Sequence, residues 1–233
     1  MLFNLRLLFI DPQLFLLVVS GTILALLVAI TIHEFSHAWL ATNLGDPTAK
    51  GLGRLTLNPL SHLDPAGTLM LLLIGFGWGR PVPVNPQYLR NGAKAGMAIV
   101  ALAGPLSNLI TAAIFAVPIR LGATPWHSPF QYVPFSQFSV NWVLADLIGL
   151  IIVYNLILGI FNLIPLAPLD GFKVALGLLP REAAISFSRL EPYGPVILFA
   201  VIGIGYFTDL NILGQIINPA VGLLTKVLIG RPL

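Results

Sequence analysis

The sequence predicts an all-α polytopic membrane protein with broken helices, a small membrane-associated β or re-entrant element, and about four to five transmembrane helices. Three observations carry this. Of 233 residues, 57% are hydrophobic and 9% charged, where soluble domains carry roughly 45–50% and about 25%. The apolar residues gather into runs near the ~20 residues that cross a hydrocarbon core. Nineteen prolines and 22 glycines are many for a simple bundle. They point to helices that open within lipid, which is tolerated only where protein or a watery cavity covers the freed backbone. This composition excludes a soluble enzyme. With no cysteine, thiolate nucleophiles and Cys-ligated metals are excluded too. The net charge of +3 encodes orientation in a membrane rather than nucleic-acid binding.

The first span is Gln13 to Thr42, and it is too long for the apolar stretch of a cleaved signal peptide. A polar segment follows, in which Lys50-Gly-Leu-Gly-Arg-Leu-Thr-Leu-Asn58 alternates as a strand would. Ala66 to Phe76 is apolar but too short to cross, and the Gly/Pro-rich run to Pro86 turns it into a re-entrant or interfacial hairpin. Ala95 to Val117 is the second span. Leu147 to Leu169 is the third, interrupted by Asn162, Pro165 and Pro168. Tyr193 to Phe207, which is short for a crossing, and Ile212 to Leu228 complete the set. The whole of 1–233 reads as one integral membrane domain, with a core over 13–191 and C-terminal helices over 193–229. With five crossings and the N-terminus outside, ten of the twelve basic residues fall on the inner side, only Arg6 and Arg120 lying outside. That bias makes the protein a multi-pass component of the cell membrane, with the segment after His37 in the cytosol.

The chemistry concentrates in His33-Glu34-Phe35-Ser36-His37. Residues i and i+4 of a helix share a face, so both imidazoles can meet one metal ion, and Glu34 beside them can act as general base on a water. His33 lies about 15 Å below the end of the span, at 1.5 Å per residue. An ionisable residue there costs about 2.5–3.5 kcal/mol, and three within five positions call for a dication. Catalytic zinc usually takes a third protein ligand, and the main candidates are His62, Asp64, His127, Asp146, Asp170 and Asp209. His127 and Asp209 fall on the opposite side and Asp146 begins a span from that side. Asp170 follows the doubly proline-broken stretch from Asn162, which can turn the chain at membrane depth, although an interfacial helix cap would explain it as well. Asp64-Pro65 reads as a helix N-cap followed by proline at the first helical position.

Five blocks in order resemble the site-2 protease family of intramembrane zinc metalloproteases. They are His33-Glu34-x-x-His37; Asn58-Pro59-Leu-Ser-His62-Leu-Asp64-Pro65-x-Gly67-Thr68; Gly77 to Pro86; Gly104-Pro105-Leu-Ser-Asn108; and Phe161-Asn162-Leu-Ile-Pro165-Leu-Ala-Pro168-Leu-Asp170-Gly171. The resemblance is to a minimal form without PDZ or CBS domains. It implies one zinc ion per chain held by His33, His37 and Asp170, Glu34 as catalytic acid/base, and an active site toward the cytosolic side. It also implies a transmembrane protein as substrate and regulated intramembrane proteolysis as the activity. Asn162 and Asn108 are candidate donors to the substrate or its oxyanion. An extended substrate segment is expected to add to the edge of the Lys50–Asn58 strand. The rival reading is a membrane divalent-metal transporter, since zinc transporters also carry a His-Glu-x-x-His run in a helix. They follow the second His with Glu, where this chain has Ala38, and add a second metal-binding helix that the sequence lacks.

Overall fold

A computed structural model describes residues 5–74, 76–126, 128, 139–208 and 210–231. Ten α-helices are present among them: α1 (Leu5–Ile10), α2 (Pro12–Asn43), α3 (Thr48–Gly51), α4 (Pro65–Ile74), α5 (Ala93–Arg120), α6 (Val140–Asn162), α7 (Asp170–Leu178), α8 (Arg181–Ser188), α9 (Gly194–Phe207) and α10 (Ile212–Ile229). Five helical stretches are long and apolar enough to cross a membrane: α2, α5, α6, the run Arg181–Phe207 through α8 and α9, and α10. The all-α polytopic architecture read from the sequence is therefore present.

Local chemistry sets the ends of these helices. Asp11 caps α2, its Oδ1 accepting the Leu14 N–H at 3.0 Å, and Pro12 takes the first helical position, where its missing N–H costs nothing. Gly45, at φ +107°, lets the chain leave α2 in a conformation that a side chain would strain. At the other end of the core, α6 stops at Asn162, ahead of Pro165 and Pro168, and α7 restarts at Asp170.

The centre is a three-helix bundle of α2, α5 and α6. Its seams are made of small residues, as helix pairs without a hydrophobic driving force require. Ala25 and Ala29 of α2, and Ala112 and Ala116 of α5, are almost completely buried. A Cβ on Gly21 would lie 2.9 Å from Leu150 Cδ1, and one on Gly159 would lie 3.1 Å from Pro105 O. Ile152, Leu156 and Val221 join α6 and α10 to this core.

The expected strand over Lys50–Asn58 is not formed. Lys50 and Gly51 end the short helix α3, Gly53 turns the chain at φ +69°, and Arg54 is drawn inward. Among the described residues the only β pairing is an isolated antiparallel bridge between Leu63 and Gly79. No strand edge is therefore present at 50–58 for a substrate to extend. The hairpin reading of the next segment fares better. The chain runs out along α4 and returns directly against it, so closely that Cβ atoms on Gly67 and Gly77 would each fall 2.1 Å from the other arm's backbone. The return continues as an extended strap, residues 79–85.

Candidate active site

Helical spacing brings His33 and His37 together on α2, with ring centroids 4.7 Å apart and edge to face. They point at α5, where Gly104 leaves the space they fill: a Cβ there would lie 2.4 Å from His37 Nε2 and 2.6 Å from His33 Cε1. Asp170 arrives from the far side. The proline-broken stretch 163–169 reverses the chain so that Asp170, first residue of α7, places Oδ2 3.0 Å from both Nε2 atoms. Gly171 permits this turn, since a Cβ would meet Leu163 O at 2.3 Å. Both histidines are buried, at 5% and 7% exposure.

The hydrogen bonds behind the imidazoles decide what faces Asp170. Asn155 Nδ2 donates to Ile151 O at 2.8 Å, so its Oδ1 faces Asn108, whose Nδ2 donates to it at 2.8 Å and to Ala29 O at 3.0 Å. Backbone carbonyls only accept, so this chain fixes the orientation of both amides. Asn108 Oδ1 must then accept, and it takes the N–H of His33 Nδ1 at 2.7 Å. His37 Nδ1–H donates to Val100 O at 2.7 Å. Neutral imidazoles held this way turn their Nε2 lone pairs toward the Asp170 carboxylate. Three acceptors converging on one point need a cation among them, and two imidazoles and a carboxylate are the ligand set of a catalytic zinc site. Their ligand atoms all lie within 4.8 Å of one another, close enough to share one ion.

Glu34 is half-buried on the flank of α2 and faces the strap. Its Oε2 accepts the Val82 N–H at 3.1 Å. In Arg80-Pro81-Val82-Pro83 the prolines lack an N–H, so Val82 offers the one backbone donor between them and it is spent on Glu34. The rest of the strap is tied from elsewhere. Arg80 N–H donates to His62 O at 2.8 Å, and Asn85 N–H donates to Asp46 Oδ2 at 2.7 Å. Arg54 reaches both the Arg80 and Pro81 carbonyls. Burial lowers the Arg54 pKa, while the negative charge of Glu34 acts in the opposite sense.

Of the residues singled out from sequence, His33, His37, Asp170 and Asn108 lie in one contact network, with Glu34 beside it on α2. Both amide hydrogens of Asn108 are engaged behind His33. Asn162 donates through Nδ2 to Leu158 O at 3.0 Å, one turn back on its own helix. His62 is fully buried and donates through Nε2 to Thr56 O at 2.8 Å. Asp64 Oδ1 accepts the Gly67 N–H at 2.8 Å at the start of α4, the capping role its sequence indicates. Asp146 shares a cavity with Leu17, Ser20, Gly21 and Leu24, which end about 13 Å short of His33 along α2. His127 and Asp209 lie outside the described residues. Three residues escape the sequence reading: Asn155, Asp46 and Arg54. Asn155 alone carries a signal there, as a lone amide within an apolar span.

Comparison with known proteins places this site in context. The sequence pattern of peptidase family M50 matches residues 21–202. The chain is 41% identical over 180 residues to the provisionally named zinc metalloprotease YwhC of Bacillus subtilis, covering 77% of this chain and 78% of that protein. It is 30% identical over 192 residues to the provisionally named zinc metalloprotease Rip2 of Mycolicibacterium smegmatis, covering 81% of this chain and 67% of the relative. No solved structure matches the chain significantly.

Proposed function

The chain belongs to peptidase family M50, the site-2 protease family, and is a zinc metalloendopeptidase with several membrane-spanning helices; we propose that it is an intramembrane protease, hydrolysing a peptide bond within or near the transmembrane segment of another membrane protein in regulated proteolysis. The observation that carries this reading is the position of the converging acceptors. His33 and His37 belong to a helix apolar enough to span, and every polar contact around them is supplied by other helices of the core.

His33, His37 and Asp170 hold the zinc, and Glu34 is the acid/base. Bound there, zinc supplies a Lewis acid that polarises a carbonyl and acidifies a water. Glu34 takes the proton of the attacking water on its carboxylate and delivers it to the nitrogen of the leaving amine. The Val82 N–H fixes Oε2 and leaves Oε1 for that traffic. Asn108 keeps His33 in the Nδ1–H tautomer, and Asn162 has a second amide hydrogen for a developing oxyanion. The site faces the cytosol, on the strength of the ten-to-two division of basic residues.

Zinc content and cleavage of a synthetic transmembrane peptide, measured together, test the assignment. Wild type should bind one zinc and cut. Glu34→Gln should keep its zinc and lose about 10²–10⁴-fold in rate, whereas Asp170→Ala should lose both. Zinc lost from Glu34→Gln and retained in Asp170→Ala would overturn the assignment.

A further inference from the structure

Beside Glu34 lies a second set of polar groups that takes no part in holding the metal. Arg54 and Arg80 line one pocket of about 290 Å³, completed by Leu52, Pro81 and Pro83. A guanidinium carries five N–H groups. Arg54 spends one on Pro81 O and one on Arg80 O, and its Nε is buried without an acceptor. The Arg80 side chain makes no hydrogen bond among the described residues, and neither arginine forms an ion pair with a carboxylate there. Arg54 is only 6% exposed, so its charge is held largely out of water, while Glu34 and Arg80 both act on it electrostatically. Two guanidiniums with spare donors around one cavity make a site for an anion.

The location favours an anion carried by the substrate. Pro81 and Pro83 form the pocket wall, and Val82 between them donates to Glu34. The pocket is thus about one residue's rise, ~3.3 Å, from the residue that holds the acid/base. A side chain a few residues from a scissile bond held at Glu34 can therefore reach it. Leu52, 65% exposed, and the two proline rings suit the methylene stem of an acidic side chain.

We propose that this pocket is a specificity subsite that receives a substrate carboxylate, an Asp or Glu side chain within a few residues of the scissile bond, between the guanidiniums of Arg54 and Arg80. The proposal rests on the role given to Glu34 above. Arg54 supplies a charge already fixed in place, and the exposed Arg80 closes on the bound carboxylate.

The test uses the full chain in neutral detergent, zinc-loaded and carrying Glu34→Gln so that peptides bind without being cut. The probes are two labelled apolar nonapeptides, identical except for one central glutamate or glutamine, followed by fluorescence anisotropy. The glutamate peptide should bind about tenfold more tightly, and the preference should shrink with added salt. Adding Arg80→Gln should bring it near unity, and Arg80→Lys should restore part of it. Zinc content equal to the parent shows that these surface substitutions leave the fold intact. Equal binding of the two peptides, an undiminished preference in Arg80→Gln, or no binding of either would overturn the subsite. So would one-to-one displacement of the peptide by phosphatidylglycerol, which would make the pocket a lipid phosphate site. Cleavage by the chain with Glu34 intact separates the two readings. Cutting without a charge preference removes the subsite alone, and a charge preference without any cutting removes the role of Glu34 alone.

Discussion

On one side of Glu34, His33, His37 and Asp170 sit in a helical core whose polar atoms are fixed in relay. Ile151 O orients Asn155, Asn155 and Ala29 O orient Asn108, and Asn108 orients His33. On the other side, the strap is extended chain held by groups on four distant residues: Asp46, Arg54, His62 and Glu34 itself. The first arrangement ends on helix backbone, at Ala29 O, Ile151 O and Val100 O, so the two imidazoles are oriented before any ligand arrives. The second hangs on a few scattered hydrogen bonds, two of them from Arg54, and leaves guanidinium donors unspent. A metal site requires the first kind of order, since ligand atoms must stand within a few tenths of an ångström of their places. A cleft that takes a peptide needs the second, in which backbone and charge are on offer and the chain can give.

The contrast is broken most severely by filling the notch at Gly104. In Gly104→Ala the added methyl group would stand 2.4 Å from His37 Nε2 and 2.6 Å from His33 Cε1. Neither imidazole can retreat without losing its bond to Val100 O or Asn108. Zinc affinity, read by competition with a chelator, should fall by at least about 100-fold, with cleavage falling alongside. An alanine variant that binds zinc normally would mean that the rings do not occupy this notch.

Asn108→Leu sharpens the same side with a smaller effect. It removes the acceptor for His33 Nδ1–H and leaves Asn155 Oδ1 in the core without its donor. Loss of a partner behind a metal-ligating histidine typically costs 10–100-fold in metal affinity, and about that much is expected here. Asn155→Leu acts one step further back, by removing one of the two acceptors that orient the Asn108 amide, and should cost less than Asn108→Leu by the same chelator assay. Equal losses would show that the two amides act as one unit, and no loss in either would show that His33 keeps its tautomer unaided.

How far each side could be read from the sequence follows the same division. The two histidines announce themselves because a helix converts a spacing of four into a shared face, and Asp170 stands out because two prolines before it break the span. Asn155 could be noticed but not interpreted, since nothing in Tyr154-Asn155-Leu156 says that its partner is 47 residues away. The strap side misleads. Alternation from Lys50 to Asn58 looks like a strand, yet Gly53 turns the chain and Arg54 bonds to carbonyls 26 and 27 residues on. Side chains that hold backbone at long range leave no periodic trace, and they are what shapes this half of the site.

Asp46 is where the strap side can be loosened without touching the metal. It is fully buried. One oxygen accepts from the Thr48 N–H at 3.0 Å and from its hydroxyl, while the other accepts the Asn85 N–H at 2.7 Å. Asp46→Ala leaves those donors without their acceptor, at a cost of about 1–3 kcal/mol. The nearest part of the strap to give is its C-terminal end, three residues from the Val82 N–H that fixes Glu34. Zinc content should therefore stay at the wild-type level while kcat falls several-fold, because Glu34, the proposed acid/base, is less well positioned while the proposed ligands His33, His37 and Asp170 are undisturbed. The split is the informative part. If zinc affinity falls in step with kcat, the strap and the metal cluster are one mechanical unit. If neither changes, the hold on Asn85 is redundant, and the ties from Arg54 and His62 are enough to keep the strap against Glu34.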